Sequence, residues 1–163
     1  MADCRFRLFI SLIIAFLATS VLLQAQEVVY VDASSFPVYG KVSEDTDARY
    51  ERLPSSLKEV CRPPVWYLGR NSAGLFIRFR SNSTSVSARW ESTFNHTMTH
   101  MTDTGTRGLD LYALVDGEWR HVCSAQPQRK TSERKIISDM DPIEREYMLY
   151  LSLYDGVTSL EIG

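Results

Sequence analysis

Histidine and cysteine are scarce, three of each in 163 residues, which leaves little material for metal or thiol chemistry. His96 and His100 have the spacing that sets two ligands on one helix face, but in extended chain they lie roughly 13 Å apart. No third ligand of obvious spacing accompanies them, so no metal and no other cofactor is expected. A nucleophile block is missing as well: there is no Gly-x-Ser-x-Gly elbow and no Gly-Asp-Ser. Ser72, within Asn71-Ser72-Ala73-Gly74, lacks the strand-turn-helix setting of an activated serine and reads as turn polarity. Asp139 and Asp141, beside Pro142, read as a solvated turn rather than a proton-sharing pair. No catalytic residue is assigned. Long runs of one charge sign are absent and the formal net charge is -2, which excludes the electrostatic footprint of a nucleic-acid or anionic-membrane binder. Neither internal repeats nor low-complexity tracts occur.

What is present is enough apolar residue, 44%, for one ordinary domain with a real core. Arg5 and Arg7 precede an apolar stretch from Leu8 to Leu23, and Gln24-Ala25-Gln26 offers a small-residue cleavage point. Residues 1–25 therefore read as a secretory signal peptide; the stretch is short and interrupted for a membrane span. Export to a periplasm or beyond follows, with a domain over 26–163 and no stable membrane insertion once the leader is removed. Cys61 and Cys123 then remain, able to form one disulfide in an oxidising compartment or to stay as separate buried thiols. Asn82-Ser83-Thr84 and Asn95-His96-Thr97 match the glycosylation pattern, which matters only in a host with that machinery.

Residues 46–60 leave room for a short helical turn, but from Pro64 onward the apolar period is two. Val28 to Val31 read as a first short strand. Leu75, Ile77 and Phe79, the turn Ser81-Asn82-Ser83, then Val86, Ala88 and Trp90 read as a hairpin with one apolar face. Leu109, Leu111, Ala113 and Val115 lead through Asp116-Gly117, a favoured two-residue turn, to Glu118–Cys123. A third hairpin runs through Tyr147, Leu149, Leu151 and Leu153, turns at Asp155-Gly156 and continues to Ile162. About eight short strands without a convincing amphipathic helix predict an all-β, jelly-roll-like β-sandwich, with an open barrel as the alternative. Ser92 to Gly108, rich in Thr and His, is a long loop of the kind that carries function.

On the outward side of the first hairpin Arg78, Arg80 and Arg89 should project together, as a carboxylate or interdomain contact or as cross-strand ion pairs with Glu91 and other acids. Trp66, Tyr67, Trp90, Tyr112, Trp119 and Tyr150 offer sugar-stacking rings wherever they are exposed, although in a sandwich most should be core. His121 alternates with Trp119 and Cys123 and reads as a side chain packed in a sheet.

Gly108-Leu109-Asp110-Leu111-Tyr112 resembles the signature of a domain at the N-terminus of SGNH (GDSL-like) hydrolases of Bacteroides-type bacteria. Val65-Trp66-Tyr67-Leu68, Ser72 to Phe79, Arg89-Trp90, His100-Met101 and Leu151 to Val157 follow in the order of that family, over roughly residues 28–163. The resemblance implies a β-sandwich that packs against a hydrolase domain in enzymes deacylating carbohydrates or related esters. It also implies that the catalytic domain is absent from this chain, since the nucleophile block never arrives before Gly163 and alternation runs into the last residue without a turn. The expected function is a non-catalytic accessory domain that helps position substrate, its partner the hydrolase domain; a free-standing exported carbohydrate-binding module is the alternative. The His100-Met101 loop and Gly108–Tyr112 are the segments expected to touch the partner or line its cleft, with Asp110 either an orienting acceptor or a residue that fixes a turn or caps a neighbouring Arg. The contact candidates are Arg78, Arg89, His100, Asp110 and Tyr112.

Overall fold

The computed structural model describes residues 27–163, so the leader read over 1–25 lies outside the described residues. Nine strands form two antiparallel sheets: β1 (Val31–Asp32), β2 (Val38–Tyr39), β3 (Phe76–Ser81), β4 (Val86–Ser92), β5 (Leu109–Val115), β6 (Glu118–Ala125), β7 (Thr131–Ile137), β8 (Arg145–Tyr150) and β9 (Val157–Ile162). The four-stranded sheet runs β1-β9-β4-β7 and the five-stranded sheet β2-β3-β8-β5-β6. The chain is an all-β sandwich, and its core is the inward half of each alternation. Ile77, Phe79, Leu111, Tyr147 and Leu149 come from one sheet, and Val86, Ala88, Trp90, Leu160 and Ile162 from the other.

Only the β5-β6 hairpin keeps the pairing that local pattern suggests. Asp116 (φ 53°) and Gly117 (φ 81°) both adopt left-handed backbone, as a type I′ turn requires to match the strand twist. The other two expected hairpins are corrected. Strands β3 and β4 belong to different sheets, as do β8 and β9, so residues 82–85 and 151–156 are crossovers between layers. Alternation shows which side chains are buried, not whether the next strand lies beside this one or across the core. Arg78 and Arg80 therefore point out from one sheet and Arg89 from the other, and the three do not form a common face.

The period-two reading from Pro64 is also corrected, because Pro63–Gly69 is a helix, α1. Pro63 and Pro64 sit in its first turn, where a missing N–H costs nothing and the ring pre-sets φ. Arg52 closes the other end, its Nη2 donating to Leu68 O and its Nε to Asn71 O, both at 2.9 Å. A second short helix, α2 (Asp103–Arg107), interrupts the long loop after β4. Residues 46–60 hold one 3-10 turn, Ser55–Leu57. Among the described residues no helix is long and apolar enough to cross a membrane.

Candidate functional site

Two neighbouring surfaces gather the chemistry-bearing residues: the loop end of the sandwich and the outer face of the five-stranded sheet. At the loop end Asp155 is fully buried. Its Oδ1 accepts the N–H groups of Phe94 (2.9 Å) and Gly156 (2.8 Å), and its Oδ2 accepts that of His96 (2.7 Å). Three backbone donors satisfy a carboxylate that burial would otherwise penalise. Ser72 braces the same joint: its N–H donates to Asp155 O, its Oγ donates to Tyr50 O and accepts from Val157 N. Ser72, read from sequence as turn polarity, and Asp155, read as part of a hairpin turn, are thus interior struts. They hold the 93–96 loop so that the Phe94 ring lies 4.9 Å from Tyr67 and 5.1 Å from His96, with the Arg70 guanidinium 5.3 Å from its centroid. His96 Nε2 lies 3.2 Å from Tyr67 Oη, and no group of three metal-ligating side chains gathers among the described residues.

Helix α2 carries the chain from His100, which is exposed, into β5. Arg107 is buried, paired to Asp103 Oδ2 at 2.6 Å and to Asn95 Oδ1, while its carbonyl accepts from Trp90 Nε1 and Ser152 Oγ. Gly108 follows because nothing larger fits: a Cβ there would stand 2.3 Å from Thr104 O and 2.9 Å from Ala125 O. Around this end Leu68, Leu153 and Tyr67 are left 55%, 50% and 44% exposed.

Strand β5 then projects Asp110 and Tyr112 outward. A row of rings crosses the face: Tyr39 to Phe76 (5.4 Å), Phe76 to Tyr150 (5.0 Å), Tyr150 to Tyr112 (5.6 Å) and Tyr112 to His121 (5.4 Å). A β-bulge in β6, where Leu111 pairs with Cys123 but Tyr112 with His121, turns both His121 and Ser124 outward. In a regular strand residues three apart face opposite sides. Ser124 Oγ accordingly lies 3.1 Å from His121 Nε2 and 2.5 Å from Asp110 Oδ1. Lower on the face Arg78 pairs with Glu146 and leans to within 5.3 Å of the Trp119 ring, three strands away. Between them Met148 points outward yet is buried. Arg78 and Arg80 hydrogen-bond Glu146 and hold its carboxyl below the usual glutamate range.

Of the sequence candidates, Arg78, Asp110 and Tyr112 share this face, His100 lies in the loop leading into α2, and Arg89 sits on the opposite sheet. There Arg89 pairs with Glu133 (3.1 Å) and Glu161 (3.0 Å) above the Tyr30 ring, while Glu91 pairs with Lys130 instead. The expectation that most of the six aromatics are core is reversed: only Trp90 is buried, because the others ride on α1 or on outward strand positions. His121 lies in the sheet but is exposed, not packed. Cys61 and Cys123 are both free: the first precedes α1 in a surface connection and the second faces the core from β6. A cleft of about 400 Å³ lies elsewhere, between Glu27–Val29, Asn82–Ser85, Pro142 and Gly163, and contains none of the sequence candidates.

Residues 28–163 match the model of the GxDLY family, the N-terminus of esterases of the SGNH-hydrolase type. The chain belongs to this family. Within the GxDLY signature, the glycine is the Gly108 close approach, the aspartate anchors Ser124, and the tyrosine joins the ring row. Among solved structures the chain is similar to a putative GDSL-like lipase from Bacteroides ovatus, with 34% identity over 82% of this chain and a TM-score of 0.78. The salicylyl-acyltransferase SsfX3 from a tetracycline biosynthetic pathway shares the fold, with 17% identity over 85% of this chain and a TM-score of 0.56. The chain spans 40% of the length of each of these two proteins. No curated protein sequence matches it.

Sequence reasoning missed the Asp155 and Arg107 struts, since a buried acid or arginine carries no local signature. It also missed the pairing of His121 with Ser124, because the bulge that creates it leaves no periodicity to read.

Proposed function

We propose that this chain acts as a non-catalytic, exported accessory domain that docks on an SGNH-type hydrolase domain and helps position an acylated carbohydrate at the joint cleft. The observation that carries the docking is the exposed aliphatic pair Leu68 and Leu153. They flank the Ser72–Asp155 joint at the same end as His100 and the entry to the Gly108–Tyr112 segment. Exposed aliphatic side chains on a rigid, hydrogen-bonded end suit a protein partner. Family membership supports that partner, and the two matched structures are more than twice the length of this chain. The leader-like N-terminus supports export, and p-nitrophenyl acetate should be hydrolysed no faster than background by this chain alone.

The test pairs the chain with an SGNH hydrolase domain supplied as a separate polypeptide. Sedimentation should show a complex, and Leu68→Asp with Leu153→Asp should weaken it by about tenfold or more while leaving the chain's own melting unchanged. Absence of a complex, or a double variant that binds as well as the parent, refutes the docking.

A further inference from the structure

The outer face of the five-stranded sheet carries a hydrogen-bond chain that no fold requirement explains. The Asp110 carboxylate accepts, and the single hydroxyl proton of Ser124 goes to its Oδ1 at 2.5 Å. Ser124 Oγ must then accept from His121, so Nε2, 3.1 Å away, carries a proton, and in the neutral imidazole Nδ1 is the acceptor. Two acceptors are left over, Asp110 Oδ2 and His121 Nδ1. Both residues are exposed, and neither atom is bonded to another side chain or backbone group among the described residues. The Tyr112 ring stands edge-on to His121 at 5.4 Å and edge-on to Tyr150 at 5.6 Å, giving apolar surface beside them.

A ligand for this arrangement must donate several hydrogen bonds and also present a C–H surface to the rings. Anions are repelled by Asp110, and the nearby guanidiniums of Arg78 and Arg80 are already held by Glu146. A metal ion would need further ligands that the described residues do not gather. A neutral pyranose meets both demands, its hydroxyls donating and its ring C–H groups lying against an aromatic side chain. We propose that Asp110, Ser124, His121, Tyr112 and Tyr150 form a binding face for a neutral sugar ring, vicinal hydroxyls donating to Asp110 Oδ2 and His121 Nδ1. This surface lies on the sheet rather than on the aliphatic patch at the loop end. It deepens the accessory-domain reading by naming what such a domain holds, yet it is tested without any hydrolase.

The experiment is an ¹⁵N-labelled NMR titration of the chain with neutral xylo-, manno- and cello-oligosaccharides, with tetramethylammonium as a separate arm. At least one sugar should bind saturably, shifting the amides of Asp110, Tyr112, His121 and Ser124 and moving the His121 Nδ1 resonance. Asp110→Asn, close in size, should weaken that binding by about tenfold, the worth of one hydrogen bond to a charged group. Tyr112→Ala should weaken it similarly, while Glu133→Gln on the opposite face should leave it unchanged. No saturable sugar binding, shifts elsewhere on the domain, indifference to both variants, or tighter binding of the ammonium ion would each overturn the proposal. None of these results bears on whether Leu68 and Leu153 hold a hydrolase domain.

Discussion

Gly108 and Asp155 act in opposite senses at the same end of the sandwich, one by what it lacks and the other by what it accepts. With φ at -72°, Gly108 is not there for its backbone freedom; two carbonyl oxygens occupy the space a Cβ would take. Gly108→Ala should therefore cost about 1–3 kcal/mol, the range for overpacking, read from the midpoint of urea unfolding. Asp155 organises through its two oxygens, which take three N–H groups. Asp155→Asn keeps the shape but turns an amide NH₂ towards one of those donors. A loss of about 1–3 kcal/mol is expected, with faster hydrogen exchange at Phe94 and His96 if the loop is released.

At the scale of elements, legibility followed the information each segment carries. Strand β5 and its hairpin could be read because Leu109, Leu111 and Ala113 alternate cleanly and Asp116-Gly117 is a turn signature. Strand β7 escaped, since its buried positions are Ser132 and Ile136, a single apolar residue. Strand β2, two residues long, has no period to detect. The crossovers were misread for a different reason: six of the eight strand-to-strand connections change sheet, and hydrophobic alternation is the same whether a strand turns back or steps across. The site was legible to the same degree. Asp110 and Tyr112 could be found because they lie in a contiguous motif. Ser124, His121 and Tyr150 join them only through pairing register and a bulge.

Over the whole molecule the two outer faces differ in kind. One carries the ion-pair grid of Arg89, Glu133 and Glu161, and the other the aromatic row with its Glu146 cluster. Glu133 and Glu146 are both held below the ordinary glutamate value of 4.5, chiefly by hydrogen bonds from Arg89 and Arg78. Because the folded state lowers these values, their contribution is complete above the ordinary range and disappears as pH falls through it and then through the folded values. The melting temperature should drop on acidification below about pH 4.5, and Glu146→Gln should flatten that slope while lowering the neutral-pH melt by about 1–2 °C. An unchanged slope would show that Glu146 contributes no linkage. The position of β9 has a further consequence. It lies between β1 and β4, and Gly163 exchanges backbone hydrogen bonds with Ser87. A chain emerging from the ribosome holds β1 and β4 without the strand that joins them until residues 157–163 have been made. The four-stranded layer therefore cannot close before residues 157–163 have been made, however early β1 and β4 emerge.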